Sequence, residues 1–432
     1  MIAVLVIAGV ASLAAFAGLH WYAWRRLVRD TTARAGLARR AGTAVFVLGP
    51  LLMFAAVASE RAGAPFWLQQ VLSWPGFLWM AFSIYLVLAV LVGDVVRPLL
   101  RRHLDRRSAP GGAESGPVPE PVLVPTREPD ELPTATTTST PTPTPTTPEP
   151  VTPSAAADPS RRLFVSRVVG GAAVVAATGI VGNGAYGVLR GPRVKRVTVP
   201  LARLPRSAHG FRIAVVSDIH LGPVLGRGFA RRVVDTINST QPDLIAIVGD
   251  LVDGSVEDLA PAVAPLAGLR ARHGTYFVTG NHEYFSGAEP WVEHVREIGL
   301  RPLENARVEM GAFDLAGVND VTGENYGDGP DYDKALGDRD PGRAAVLLAH
   351  QPVMIHEAVK HGVDLQLSGH THGGQLWPGN FIADAANPTL AGLERYGDTQ
   401  LYVSRGAGAW GPPVRVGAPS DITVVELASK RA

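Results

Sequence analysis

The 432-residue sequence contains no cysteine. This absence excludes disulfide bonds, thiolate metal sites and a thiol nucleophile, and it leaves the cellular compartment undecided by redox arguments. A strong net charge is also missing, since 40 lysine and arginine residues balance 39 aspartate and glutamate residues to give a formal charge of +1. A chain this neutral lacks the basic surface typical of nucleic-acid binding, so no nucleic-acid partner is expected.

Apolar residues, in contrast, are abundant and make up 46% of the sequence. Three long runs, at about residues 2–24, 42–59 and 77–93, contain few or no charges. About 20 apolar residues suffice to cross a bilayer as a helix, so residues 1–107 are predicted to form a three-span transmembrane region. The first run could instead be a signal peptide, but the charged residues follow it rather than precede it.

Arginines cluster after the first apolar run and after the third. The positive-inside rule therefore places both clusters in the cytoplasm and the N-terminus outside the cell. Residues 108–160 differ in composition, with TATTTSTPTPTPTTPEP near their centre. Proline and threonine at this density cannot bury a core, so this segment is predicted to be a disordered cytoplasmic linker.

A fourth, milder apolar run (residues 168–189) follows the sequence SRRLFV at residues 160–165. This hexamer resembles the twin-arginine export signal, with Val165 where that signal usually has leucine. Residues 161–196 are therefore interpreted as such a signal plus a fourth transmembrane helix that stays as an anchor. The alternative is an arginine pair on a cytoplasmic flank. The first interpretation predicts a multi-pass protein of the cell membrane whose remaining domain is exported by the twin-arginine machinery to the outer face.

Residues 197–432 have the pattern of an α/β domain. Short β-branched runs such as LIAIVGD and AVLLAH alternate with segments of helical period, for example residues 226–239 and 352–361. Polar residues directly follow five of the apolar runs, and open α/β sheets place their ligand sites at that edge. These candidate site residues are Asp218, His220, Asp250, Asn281, His282, His350, His370 and His372.

These side chains offer imidazole, carboxylate and amide groups, a mixture that suits manganese, iron or zinc. Asp218 with His220, and His370 with His372, are two residues apart, so in an extended segment both members of a pair face the same way. Without His282 the set contains seven candidate ligands, too many for one tetrahedral ion and about right for two ions that share a carboxylate. The sequence therefore predicts a site for two divalent metal ions.

The motifs DIH, GDLVDG, GNHE and GHTHGG, with His350 between the last two, carry a family resemblance. Their order and approximate spacing are similar to those of the calcineurin-like metallophosphoesterase superfamily, over roughly residues 211–427. The match looks closest to the bacterial membrane-associated or exported branch. The resemblance implies an α/β fold of four layers, an αββα sandwich in which two packed mixed β-sheets are flanked by helices.

The resemblance also implies roles for the candidate residues. The first metal ion would be bound by Asp218, His220 and His372. The second would be bound by Asn281, His350 and His370, with Asp250 bridging the two ions. His282 would be the general acid, and a water between the ions would be the nucleophile. Arg405 and Trp410 are candidates for lining the substrate pocket.

The function implied is that of a membrane-anchored phosphoesterase with a dinuclear metal centre. Two alternatives stay open at this point. One is a pyrophosphatase or phosphatase that acts on a lipid-linked intermediate of the cell envelope. The other is a receptor that binds a phosphorylated ligand without hydrolysing it. The complete ligand set favours an enzyme, because a pure binding protein does not need every ligand.

Overall fold

The computed structural model describes residues 2–108 and 159–430, so most of the predicted linker at residues 108–160 lies outside the described residues. Helices precede the α/β domain. They are α1 (Ile2–Trp24), α2 (Leu37–Arg61), α3 (Phe66–Ser108) and α4 (Pro159–Leu189), and a π-helical turn at Arg25–Arg29 continues α1.

Three segments of these helices are long and apolar enough to cross a membrane: Leu37–Arg61, Phe66–Leu104 and Arg161–Leu189. They contain the second, third and fourth predicted apolar runs. Helix α1 coincides with the first run, and its crossing of the membrane stays a prediction. Each of the three segments is longer than the run it contains, because the helix continues into its charged flanks.

The arginine-rich ends of the helices meet one another away from the α/β domain. Asp94 of α3 pairs with Arg26 at 2.7 Å and with Arg97 at 2.8 Å. The side chain of Arg167 in α4 donates a hydrogen bond to the carbonyl of Thr31 at 3.1 Å. These contacts bring the ends of α1, α3 and α4 into one polar cluster.

The opposite ends of α3 and α4 contact the α/β domain. Val188, near the end of α4, is part of that domain's hydrophobic core, and Phe66, the first residue of α3, packs against the same core. The end of α2 lies at this side too, since Ser73 of α3 donates a hydrogen bond to Glu60 at 3.3 Å. The domain and the arginine cluster therefore lie at opposite ends of the helices.

Twelve strands form two six-stranded sheets within the described residues. Those of the first sheet are β1 (Arg193–Leu201), β2 (Phe211–Val216), β3 (Leu244–Val248), β4 (Thr275–Val278), β5 (Arg301–Pro302) and β12 (Asp421–Ser429). Those of the second are β6 (Ala306–Glu309), β7 (Phe313–Gly317), β8 (Ala344–Leu348), β9 (Leu365–Ser368), β10 (Gly392–Tyr396) and β11 (Thr399–Val403). The strand orders are β1-β12-β2-β3-β4-β5 and β10-β11-β9-β8-β7-β6.

Both sheets are mixed. In the first, β2, β3 and β4 run parallel, whereas β12 pairs antiparallel with β2. In the second, β7, β8, β9 and β11 are parallel neighbours, and β10 pairs antiparallel with β11. Strand β1 pairs in parallel with β12 from Arg193 onward, ahead of the boundary predicted at residue 197.

The sheets pack face to face and are covered by helices on their outer sides. Buried side chains of both sheets, such as Ile213 and Val346, share one core. The outer face of the first sheet packs against α5 (Arg227–Ser239), α6 (Val256–Val263) and α8 (Ala288–Glu297). The outer face of the second packs against α9 (Tyr332–Leu336) and α10 (Ile355–Lys360). The predicted four-layer αββα sandwich is confirmed.

Candidate metal centre

The predicted site residues follow the strands of both sheets at one edge of the sandwich. Asp218 and His220 follow β2, and Asp250 follows β3. Asn281 and His282 come after β4 and begin helix α7 (Asn281–Ser286). In the second sheet His350 follows β8, and His370 and His372 follow β9. The structure brings these eight side chains together, as the distances below show.

The backbone at this edge is strained. Five of the candidate residues have φ between 47° and 74°, namely Asp218, His220, Asp250, His370 and His372. Non-glycine residues rarely adopt positive φ, and such strain concentrates at functional sites. Gly249, with φ of 76°, makes the turn before Asp250, and a Cβ there would lie 2.6 Å from Nδ1 of His350. Only glycine lets the imidazole approach this turn.

One group of candidate ligands consists of Asp218, His220 and His372. Each offers one nitrogen or oxygen atom, and these three atoms lie within 4.8 Å of one another. The Nε2 atoms of the two histidines are 3.0 Å apart, and Nε2 of His372 is 3.3 Å from Oδ1 of Asp218. Burial lowers the pKa of His372 to about 4, and the nearby Asp218 only partly opposes this shift. The imidazole is therefore neutral and can offer a lone pair.

The second group contains Asp250, His350 and His370, with Asn281 between the two histidines. Oδ1 of Asn281 is 3.2 Å from Nε2 of His350 and 2.9 Å from Nδ1 of His370. Oδ2 of Asp250 is 3.1 Å from Nε2 of His350 and 3.8 Å from Nε2 of His220 in the first group. One carboxylate thus reaches both groups.

Further hydrogen bonds orient the histidine ligands. Nδ1 of His350 is 2.8 Å from the carbonyl oxygen of Val248, and Nδ1 of His220 is 2.9 Å from Oδ1 of Asp253. With both Nδ1 atoms donating, Nε2 is the atom of each ring that would bind a metal ion, which would displace any proton held there; this is the usual arrangement for histidine ligands of metals.

The charges of the site also suit cations. Burial raises the pKa of Asp250, but the neighbouring histidines, His350 first, lower it well below the usual range. Conversely, burial lowers the pKa of His350, whereas Asp250 and Asp218 raise it well above its ordinary value. The carboxylates therefore attract positive charge, and the residues present fit two divalent cations.

Asp253 connects two of the candidate site residues, although its position in the sequence predicts no role for it. Its Oδ1 is 2.9 Å from Nδ1 of His220 and 2.6 Å from Nδ1 of His282. Burial lowers the pKa of His282, but the Asp253 carboxylate outweighs this effect and raises it to about 9. His282 is therefore protonated at neutral pH, as a proton donor must be. The only sequence signal is the position of Asp253 within GDLVDG.

The sequence likewise predicts no role for Glu283. It is fully buried, and its carboxylate accepts hydrogen bonds from the backbone N–H groups of Asp250 at 2.9 Å, Leu251 at 2.8 Å and Gly280 at 2.7 Å. It therefore ties the loop after β3 to the loop after β4. Burial, followed by the charge of Asp250, raises the pKa of Glu283 to about 7.

The residues proposed to line the substrate pocket lie on two sides of the site. The Trp410 ring is 5.7 Å from that of His282. Arg405 lines a cleft of about 210 Å³ together with Gly373, which follows the candidate ligand His372. Gln375 fixes the Trp410 segment, because its side chain donates to the Trp410 carbonyl at 2.9 Å and accepts from the Trp410 N–H at 3.0 Å.

Comparisons with known proteins agree with this geometry. A family model described as calcineurin-like phosphoesterase matches residues 211–374. An uncharacterized metallophosphoesterase of Helicobacter pylori is 38% identical over 275 residues, which cover 63% of this chain and 74% of that protein. This chain belongs to the calcineurin-like metallophosphoesterase family. It is therefore a metal-dependent phosphoric ester hydrolase.

The relatives of this metallophosphoesterase are not confined to bacteria. A transmembrane protein with metallophosphoesterase domain from Bos taurus is 42% identical over 253 residues, 55% of this chain and 57% of that protein. The expected closest match to the bacterial membrane-associated or exported branch is thus not supported. Among solved structures, the phosphopantetheinyl hydrolase of Mycobacterium tuberculosis is 12% identical and covers 45% of this chain and 89% of that chain, with a TM-score of 0.28.

Proposed function

We propose that this metallophosphoesterase hydrolyses phosphate esters at a centre for two divalent cations, drawn from manganese, iron and zinc. The main support for this proposal is the position of Asp250. Its Oδ2 lies 3.1 Å from Nε2 of His350 in one group of candidate ligands and 3.8 Å from Nε2 of His220 in the other. When bound, two such cations polarise the phosphoryl oxygens and activate the attacking water.

The remaining chemistry belongs to side chains of the protein. Asp253 holds Nδ1 of His282, so His282 donates the proton on Nε2 to the leaving oxygen of the ester. A positioned general acid of this kind contributes about 10²–10⁴-fold to the rate. Glu283 and Gly249 keep the loops in place and do not take part in the chemistry.

The cellular arrangement that we propose is a multi-pass membrane protein with the catalytic domain on the outer face. Its support is that the domain lies at the helix ends opposite the cluster of Arg26, Arg97 and Arg167. Arginine-rich ends are retained in the cytoplasm by the positive-inside rule. Export of the folded domain through the twin-arginine pathway fits an enzyme whose metal ligands come from five strand ends.

The catalytic proposal is tested with the full-length protein purified in detergent. After chelation, the protein is supplied with manganese, iron or zinc and assayed on a soluble phosphomonoester and a soluble phosphodiester. We expect hydrolysis of at least one ester that depends on added metal. Metal-dependent binding of phosphate esters without turnover would overturn the proposal in favour of the receptor.

The topology is tested by changing Arg161 and Arg162 to lysine. This substitution keeps both charges, so it separates recognition of the arginine pair from the positive-inside effect. A C-terminal tag should be accessible to protease in intact protoplasts for the wild type and protected for the double variant. Protection of the wild-type tag would contradict the outer-face location, and accessibility of both would contradict the twin-arginine route.

A further inference from the structure

One wall of the metal site packs on the membrane helices. The segment at residues 410–417, here called the rim loop, begins with Trp410 beside His282. Its residue Val414 is buried in a cluster with Ala81 and Tyr85 of α3 and with Val181 of α4. The catalytic site therefore borders the transmembrane helices themselves and is not held away from them by a spacer.

The rim loop also contacts the helices at a depth below their ends. Val181 precedes the end of α4 at Leu189 by eight residues, which corresponds to about 12 Å along the helix axis at 1.5 Å per residue. Gly184, also inside α4, approaches so closely that a Cβ there would lie 2.8 Å from the carbonyl oxygen of Arg415. This part of the catalytic domain thus runs alongside the apolar span.

A second segment joins the rim loop at this depth. Leu376 forms a backbone bridge with Val416 and packs against the same cluster of helix residues. The residues that follow carry large apolar side chains exposed on the surface, with exposed fractions of 47% for Trp377, 65% for Phe381 and 77% for Ile382. Helix α11 (Gly379–Ala386), which contains the last two, buries none of its side chains.

These side chains and Trp410, which is 57% exposed, are here called the apolar rim. Soluble surfaces rarely expose large apolar side chains side by side, whereas aromatic and aliphatic residues of this kind are typical of segments that lie in a membrane interface. The apolar rim adjoins Leu376 and Val416, which pack against α3 and α4. Bilayer lipid is therefore the occupant that its position indicates.

One cleft is lined both by a residue of the apolar rim and by chain neighbours of the metal ligands. Trp377 lines the cleft that also contains Gly373 and Arg405. Gly373 follows the ligand His372, and Gly406, which follows Arg405, is so close to the ligand Asp218 that a Cβ there would lie 2.6 Å from its Cβ. Arg405 gives this cleft a positive charge next to the metal site.

We propose that the apolar rim lies in the bilayer interface and that the substrate is a phosphate ester carried by a membrane lipid, which enters through the Arg405 cleft. The inference rests on the proposed function. Hydrolysis adds a water oxygen to phosphorus and breaks the bond between phosphorus and the ester oxygen. The lipid alcohol leaves with a proton from His282, and phosphate is released.

The position of the apolar rim can be measured directly because the chain has no cysteine. Phe381→Cys carries a fluorophore in the full-length protein reconstituted into phosphatidylcholine vesicles whose lipids bear a nitroxide at a shallow acyl position. Val359→Cys, at an exposed apolar position of α10, is the matched control. We expect strong quenching at residue 381 and little at residue 359. Equal, weak quenching at both would overturn the proposal.

The substrate class is tested by the ratio of two activities. The wild type is assayed on dissolved p-nitrophenyl phosphate and on phosphatidic acid within vesicles. The double variant Phe381→Ser/Ile382→Ser should lower the ratio of lipid to dissolved-ester hydrolysis by about tenfold or more, equivalent to ~1.4 kcal/mol. Val353→Ser/Val359→Ser, which also removes two exposed apolar side chains, should leave the ratio unchanged.

The outcomes separate the two proposals. Hydrolysis of the dissolved ester without hydrolysis of the vesicle lipid, or a ratio that falls equally in both double variants, would overturn the lipid substrate and leave the phosphoesterase activity standing. Hydrolysis by metal-loaded wild type of neither monoester, nor of a soluble phosphodiester, would overturn the proposed function itself. Circular dichroism of both variants checks that the fold is retained, as expected for side chains that are exposed.

Discussion

Replacement of Asp253 by asparagine tests the link between the metal site and the proton donor. The change keeps the shape of the side chain but removes the charge that acts on Nδ1 of both His220, at 2.9 Å, and His282, at 2.6 Å. Without the carboxylate, the largest influence that raises the pKa of His282 is gone and burial opposes protonation, so His282 holds the proton needed by the leaving oxygen less firmly.

The size of the effect follows from the hydrogen bonds. A hydrogen bond to a charged group contributes about 1.5–3 kcal/mol. If the bond to His282 supports the transition state, its loss should lower kcat by about 10- to 160-fold. The bond to His220 orients a candidate metal ligand, and removal of such a partner typically costs about 10–100-fold in metal affinity or activity.

The assay compares kcat for esters with poor and good leaving groups at saturating metal. Asp253→Asn should affect poor leaving groups most, because they need a proton in the transition state. Asp258→Asn is the matched control, since it makes the same change on an exposed residue in the first turn of α6. If Asp253→Asn keeps more than about a third of the wild-type kcat on poor leaving groups, the proposed pairing with His282 is wrong.

Two other substitutions separate chemistry from structure. His282→Ala should retain its metal, measured by elemental analysis, and lose about 10²–10⁴-fold on esters with poor leaving groups; equal losses on good leaving groups would refute proton donation. Glu283→Ala leaves four buried N–H groups without their acceptor, so unfolding should be easier by at least about 4 kcal/mol. An unchanged unfolding temperature would show that this carboxylate does not hold the loops.

The candidate ligands were predictable because each of them lies at a local signal. A run such as LIAIV specifies a buried strand, and Gly249 and Asp250 follow it directly. Parallel strands present their carboxyl ends at one edge of a sheet, so residues at such positions converge without further information.

The partners of these ligands were not predictable in the same way. Asp253 contacts His282, which lies in the helix that follows another strand, β4. In the sequence Glu283 resembles any polar helix residue. Only the structure shows that its carboxylate accepts hydrogen bonds from the N–H groups of the loop after β3. Such contacts depend on tertiary packing, for which a single sequence carries no periodic signal.

In the membrane region, too, the sequence predicted the helices but not their contacts with the α/β domain. Apolar composition indicated the spans, but it could not predict that Val414 packs against Ala81 and Val181. Apolar composition also underestimated the length of the helices, since α3 continues to Ser108 beyond the apolar run that ends near residue 93. Hydrophobicity marks the part of a helix that fits the bilayer, whereas the helix itself extends into its charged flanks.

The most direct test of the proposed two-metal centre is the metal content and kcat of purified Asp250→Ala. Because one carboxylate lies between the two ligand groups, its removal should lower the bound metal below two ions per chain and abolish hydrolysis. A variant that keeps two metal ions and more than about a tenth of the wild-type kcat, a loss below ~1.4 kcal/mol, would contradict the bridging role of Asp250.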